Sequence, residues 1–348
     1  MEAVEGFDFV RIPVPRYAHA HDKRRVFNWL LFAWRVAGLH RRLPGRPDVI
    51  LSSSPSIFAS LGAERLARRF GARLVFEVRD IWPLTLIEVG GYSARHPMIR
   101  LMQWIEDRAY RLSDRVVSNL PGAAAHMVSR GMDPAKFSWI PNGFSKADVD
   151  GDEPVAADVL AGIPAGKFVV GYAGTLGVAN ALDTFLDAAE RLKANEDIAF
   201  VLLGQGKEKV ALEASAQRRN LTNVHFLPAV PKAQVQAVLK HFDVCSIGLR
   251  ADPLFRFGVS PNKLFDYLVA GRPIIYGIDS GDYRPVEDFG AGLEVPPQDP
   301  AALADAILTL RALSPEERRR MGENGRRAAL ERHEFGMLAS QLEDVLLR

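Results

Sequence analysis

The sequence predicts an α/β protein of two doubly wound, parallel-sheet domains facing one another across a cleft. Three observations carry this expectation. At 348 residues the chain is long enough for two α/β domains with separate cores. Short apolar runs alternate with helix-length segments along nearly its whole length. One polar, acidic stretch containing glycine and proline, residues 145–166, interrupts the alternation and reads as a linker.

In chain order, strands are expected at residues 7–13, 48–52, 73–78, 114–118 and 137–140. Between them, residues 57–70 and 99–112 carry apolar side chains at three- and four-residue steps, as helices packed on a sheet do. A second series places strands at residues 167–172, 198–203, 223–227, 244–249, 273–276 and 292–295. Near-continuous apolar strands separated by helices suit a parallel sheet buried on both faces. The first half opens on what reads as a second or later strand, with no central apolar strand and glycine-rich turn ahead of it. A misassigned start codon or a natural truncation is the expectation there. The domains expected are therefore residues 1–144, the linker, and residues 167–335, with a closing segment at 336–348.

Hydrophobic residues at 48% and charged residues at 25% exclude a disordered chain. The single cysteine, Cys245, excludes an internal disulfide or a cysteine-based zinc site, and its apolar neighbours suit a buried strand in a reducing compartment. No signal-peptide pattern is visible, and no stretch approaches the roughly 20 apolar residues of a spanning helix. A cytoplasmic protein, soluble or peripheral on the inner face of the membrane, is expected, with no nucleic-acid partner. The net charge of +2 conceals a basic cluster of Lys23, Arg24, Arg25, Arg35, Arg41, Arg42 and Arg46. Residues 23–42 read as an aromatic-rich helix with basic ends. It either packs against a sheet or makes peripheral contact with an anionic membrane. His19 and His21 form a pair without a third ligand at metal spacing, so they are read as loop residues and no metal site is expected.

Ligands in such sheets bind beyond the carboxyl ends of the strands. The richest such place starts at Gly258-Val-Ser-Pro-Asn-Lys, where Ser260 suits an N-cap and Pro261 the first helical position, with the helix ending near Gly271. The turn Ser260, Pro261, Asn262 and Lys263 would present unpaired backbone N–H groups, a positive dipole end and a full charge to a diphosphate. Asp266, one turn on, could accept bonds from ribose hydroxyls. The alternative is a capped core helix in which Lys263 and Asp266 pair with each other at i, i+3.

Two glycine-rich strand ends could approach phosphate or sugar closely, one with Gly174, Thr175 and Gly177, the other with Gly204 and Gly206. The loop from Pro228 to Val230 could hold a nucleobase. Ordinary β–α turns look the same. In the first half, Glu77-Val-Arg-Asp-Ile-Trp-Pro83 places Arg79 and Asp80 just past a strand. Asp80 could orient or deprotonate an acceptor hydroxyl and Arg79 could bind phosphate or a sugar acid, the alternative being a buried Arg–Asp pair.

Together, Glu77-Val-Arg-Asp-Ile-Trp-Pro83, Ile140-Pro-Asn-Gly143, Tyr172-Ala-Gly-Thr175 and Ser260-Pro-Asn-Lys-Leu-Phe-Asp-Tyr267 resemble the retaining GT-B glycosyltransferases of family four. The nearest branch resembles the O-antigen and capsule transferases that include N-acetylfucosaminyltransferases, and the resemblance covers nearly the whole chain. It implies the GT-B fold, two Rossmann-like domains, with a UDP-sugar donor on the second and the acceptor on the first. It also implies that the last helix, about 336–347, crosses back to the first domain. On this resemblance Asp266 matches the ribose-binding carboxylate, Ser260 to Lys263 the pyrophosphate turn and Val230 the base-contacting loop. No metal or other cofactor is implied, so cationic groups must neutralise the leaving diphosphate.

The chain departs from the pattern at several points. Thr175 and Asn180 stand where many members carry Arg and Lys, leaving Lys263, Arg250 or Arg256 to supply the charge. Gly258 replaces a second glutamate, and Arg79 aligns with a histidine near the acceptor. The implied reaction moves an acetamido or deoxy hexose from a UDP-sugar to a lipid-linked saccharide, with retention, in cell-surface polysaccharide assembly. Its rivals are a UDP-sugar 2-epimerase of the same fold and a non-catalytic, degenerate donor-binding subunit.

Overall fold

A computed structural model describes residues 2–4, 6–15, 24–150 and 153–347. Two compact units divide the chain, one of Met1–Ile140 with Gln341–Arg348, the other of Pro141–Ser340. His19, His21 and Lys23 lie outside the described residues. The strands are β1 (Glu2–Val4), β2 (Phe7–Phe9), β3 (Val49–Ser53), β4 (Arg73–Val78), β5 (Arg115–Ser118), β6 (Phe137–Trp139), β7 (Phe168–Ala173), β8 (Ile198–Leu203), β9 (Val224–Leu227), β10 (Val244–Gly248), β11 (Ile274–Gly277) and β12 (Gly292–Glu294).

The first unit holds a four-stranded parallel sheet in the order β3-β4-β5-β6, so neighbours in space are neighbours in sequence. The strand expected at residues 7–13 does not join it. β2 pairs antiparallel with β1 instead, and its side chains are exposed, because Phe7-Asp-Phe9 has no second buried face. The helix Ala59–Phe70 follows β3 and ends on Gly71, whose φ of 62° is the left-handed C-cap glycine readily adopts.

Residues 24–37 form the expected helix, and it divides its faces. Asn28 and Ala33 are buried and Trp29 stacks on Phe58 at 5.4 Å, whereas Phe27, Leu30 and Trp34 stay exposed. Close approach depends on Gly62, since a Cβ there would collide with the Ala33 carbonyl oxygen. The helix therefore has one packed and one exposed face. The helix Pro97–Leu112 begins with His96, whose ring accepts from the Met98 N–H, and carries the buried Glu106.

The second unit has a six-stranded, all-parallel sheet ordered β12-β11-β10-β7-β8-β9. Every residue of β7 and β8 is buried, as their continuous apolar runs require. One face packs the helices Leu182–Arg191 and Pro300–Ala312 through Phe185, Leu186, Leu303 and Ile307, and the other packs the helix Asn262–Ala270 through Leu264, Phe265 and Leu268. Strand order reverses between β7 and β10, the switch point where open sheets of this kind form a crevice at their carboxyl ends.

The described residues of 145–166, read as a linker, form two short helices and join the second unit. The helices Lys146–Asp150 and Ala157–Ala161 bring Val159 into its core, with Val149, Val155 and Ile163 packed against the same cluster. Apolar residues spaced far apart among polar ones concealed this. The unit starts at Pro141 rather than after residue 144, because Phe144 pairs its backbone with residues 333–335. The last helix is Phe335–Leu347, and the carbonyl of Leu346 accepts a bond of 2.9 Å from the Arg73 guanidinium within the first unit.

Candidate functional site

The site grows from the helix Asn262–Ala270, whose sequence fixes it from beneath. Leu264, Phe265, Tyr267 and Leu268 are fully buried, each contributing about 1.5–3 kcal/mol for the larger apolar side chains. Tyr267 ties the helix to the sheet: its hydroxyl accepts from the Ala173 N–H at 2.8 Å and donates to the Ala173 carbonyl at 3.1 Å. The helix start therefore sits at the carboxyl end of β7. Gly271, with φ 67°, ends the helix as the sequence indicates.

Its N-terminus differs in detail from the expectation. Pro261 is the N-cap, the helix starts at Asn262, and Ser260 makes no capping bond. The Ser260 hydroxyl instead accepts from the Asn142 N–H at 2.9 Å, while the Asn142 side-chain amide donates to the Ser260 carbonyl at 2.6 Å. Two segments picked out separately, Ile140-Pro-Asn-Gly143 and Ser260-Pro-Asn-Lys263, are thus held together. Asn142 enters the site as a positioning residue that its motif alone did not assign.

Lys263 reaches the end of β7. Its ammonium donates to the Tyr172 hydroxyl at 3.0 Å and to the Asn180 side-chain carbonyl, and stands 4.9 Å from the centre of the Tyr172 ring. Burial pushes its pKa down to about 8, since no carboxylate among the described residues pairs with it. The pairing of Lys263 with Asp266, one of the two sequence readings, is not formed. Asp266 pairs with Lys232 at the start of the helix Lys232–Leu239. Tyr172 and Asn180 also complete the turn beyond β7, both donating to the Thr175 carbonyl, at 2.7 and 2.9 Å. Asn180, where the resemblance expects lysine, is therefore an acceptor for the lysine of another element.

The glycines let the strand-end loops approach one another. A Cβ at Gly204 would collide with the Gly174 carbonyl, and one at Gly206 with the Leu176 carbonyl, so the two strand-end loops pack on each other. Gly174 and Gly204 have φ of 151° and 152°. At Gly174 a Cβ would lie 3.1 Å from Lys263 Cε, so this glycine makes room for the lysine. Thr175 is exposed on the same loop. Val230 is half-buried against the core, while Pro228 and Ala229 are exposed beyond β9.

Of the other cations proposed, Arg250 is anchored to the turn beyond β7, donating to the Val178 carbonyl at 2.8 Å and meeting Asp183 at 3.4 Å. Arg256 lies over the Phe257 ring at 4.4 Å and donates to the Pro253 carbonyl. Gly258 has φ 85°, a conformation that glycine tolerates and glutamate does not, so this loop is built around the departure from the family pattern. A small cavity shares Tyr172 and Asn180, the two acceptors of the lysine, and is lined further by Ser246, Gly248, Gly277 and Gln298.

In the first unit Arg79 and Asp80 are exposed, so the buried pair is not formed. Their backbone N–H groups both donate to the Ser54 hydroxyl, at 2.9 and 3.2 Å. Ser54, fully buried in the turn after β3, is what presents the two charges, and a run of serines gave no signal of that role.

A positive helix start and a half-buried ammonium at a switch point, with no carboxylate paired to it among the described residues, can hold a dianionic ligand, with a carboxylate one turn away to receive hydroxyls. Comparison with known proteins agrees on the class. Residues 1–143 match the family described as Glycosyl transferase 4-like domain, and residues 167–312 that described as Glycosyl transferases group 1. The chain carries these two glycosyltransferase domains in order, and its fold is that of the GT-B glycosyltransferases. It is 26% identical over 289 residues to the probable glycosyltransferase WbjE of Pseudomonas aeruginosa, covering 81% of this chain and 70% of that one. It is 27% identical over 235 residues to the putative colanic acid biosynthesis glycosyl transferase WcaI of Escherichia coli, 65% of this chain and 56% of that relative's length. Among solved structures, Anabaena Alr3699/HepE in complex with UDP superposes with a TM-score of 0.69 at 18% identity, covering 91% of this chain and 81% of that one. Sucrose-phosphate synthase from Thermosynechococcus elongatus does so with a TM-score of 0.69 at 21% identity, covering 93% and 78%.

Proposed function

We propose that this glycosyltransferase moves a hexose, an acetamido or deoxy sugar, from a UDP-sugar to a lipid-linked saccharide, with retention, in the assembly of a cell-surface polysaccharide. The observation that carries the donor half is Lys263, a half-buried ammonium at the start of a helix without a carboxylate partner among the described residues. Burying an uncompensated charge is unfavourable, and a diphosphate would relieve it. The amides of the first helical turn and Lys263 hold the leaving UDP, Asp266 receives the ribose hydroxyls, and Val230 borders the base. No metal takes part, so these groups alone offset the charge of the departing diphosphate. HepE, solved with UDP, supports the choice of nucleotide, and WcaI, named for colanic acid biosynthesis, supports a polysaccharide product.

On the first unit, Asp80 orients or deprotonates the acceptor hydroxyl and Arg79 meets an acidic group of the acceptor. The exposed stripe of Phe27, Leu30 and Trp34, with the exposed Arg41 and Arg42, provides the peripheral membrane contact a lipid-linked acceptor requires. A second reading, a donor-binding subunit without turnover, draws on Gly258, since no carboxylate stands where the resemblance puts one.

Calorimetric titration with UDP tests the donor site. Lys263→Ala and Asp266→Ala should each weaken binding at least about tenfold, the loss of one hydrogen bond to a charged group. Unchanged affinity in both variants would move the donor site elsewhere.

A further inference from the structure

We propose that Lys232 positions Asp266 for the donor nucleoside and thereby sets the preference for ribose over deoxyribose, an inference that rests on the donor-site reading above. A lysine and an aspartate three residues apart on a helix ordinarily pair with each other. Here they diverge: Lys263 turns to Tyr172 and Asn180, and the Asp266 carboxylate turns to the Lys232 ammonium. Four residues beyond Lys232, the buried Gln236 donates its side-chain amide to the Asp266 carbonyl at 3.0 Å. One helix, Lys232–Leu239, therefore grips Asp266 by both its side chain and its main chain. The same helix directly continues the loop of Val230 and Pro231, so the group facing the base and the group facing the ribose are set by one element.

The pair serves two ends. A carboxylate offers about four lone-pair positions on two oxygens, so it can be oriented by an ammonium and still accept from a ribose hydroxyl. Lys232 also keeps the carboxylate away from Lys263, whose charge the diphosphate needs. The Asp266 side chain is 16% exposed and that of Lys232 is 51% exposed, so solutes can reach the carboxylate and the ammonium can be replaced without opening the core. Lys232 is thus a positioning residue that acts through Asp266.

The test compares dissociation constants for UDP and 2′,3′-dideoxy-UDP in the wild type, Lys232→Met, Lys232→Arg and Asp266→Asn, with melting temperatures as a check on folding. The wild type should favour UDP by about tenfold or more. That ratio should fall toward unity in Lys232→Met as in Asp266→Asn, and be restored in Lys232→Arg, which keeps a cation at the same place. A wild-type ratio in Lys232→Met, with the ratio lost in Asp266→Asn, overturns the role of Lys232 alone. A ratio preserved in Asp266→Asn overturns the donor-site reading beneath it.

Discussion

Lys263 lies where two requirements meet, since an ammonium that attracts an anion must be held out of bulk water without a carboxylate that would satisfy it. Its two neutral acceptors, Tyr172 and Asn180, do this, and burial brings its pKa to about 8. The sign of the pH dependence follows. A diphosphate favours the charged form, so the complex binds more protons than the empty site around that pH. UDP affinity should hold below about 8 and fall as pH rises through it, and calorimetry across that range should find the dependence gone in Lys263→Met. Glu106 gives a test of stability. Burial pushes its pKa up to about 8 against the lowering effect of bonds from Tyr110 and Gln103. The folded state thus keeps a proton that the unfolded state releases, and its stability is lost as pH rises from the ordinary carboxylate range through about 8. Thermal melts should show Glu106→Gln gaining on the wild type above that pH and not in mildly acidic buffer.

The helix Asn262–Ala270 was readable from Ser260-Pro-Asn-Lys and from its apolar spacing, and so were Lys263 and Asp266 as its polar residues. What each of them meets was not, because Tyr172, Asn180 and Lys232 stand 91, 83 and 34 residues away in sequence. Ser260 shows the same limit: a residue with every mark of a cap is used to hold Asn142, 118 positions earlier. The glycines of the strand ends were legible as sites of close approach, and a neighbouring loop is one group that approaches them. Gly204→Ala should therefore destabilise by about 1–3 kcal/mol in urea unfolding, through collision with the Gly174 carbonyl and a φ of 152°. A neutral result would mean that the two loops are not locked together. Residues 7–13 and 145–166 were misread for opposite reasons, an alternation too short to enter a sheet and a core contribution spread among polar residues.

Across the whole molecule, the alternation of buried strands and helices made two parallel-sheet units legible, and the strand order of the second, reversing between β7 and β10, marks the crevice to which the candidate donor residues belong. Lys263, Asp266, Lys232, Tyr172 and Asn180 all lie in Pro141–Ser340, which has its own core. A fragment of residues 141–340 that folds by circular dichroism should then retain most of the affinity for UDP, and loss of binding in the folded fragment would place part of the donor site on the other unit. The proposed acceptor half rests on Arg79 and Asp80, whose backbone contacts with Ser54 were not visible in sequence. The central claim is glycosyl transfer that depends on the helix start at Lys263, and the direct measurement is mass spectrometry of lipid-linked saccharides incubated with a panel of UDP-sugars. The account predicts that one acceptor gains the mass of a single sugar, with UDP released, and that Lys263→Ala abolishes the gain. Acceptors left unchanged by every donor, or a gain that persists in Lys263→Ala, would contradict it.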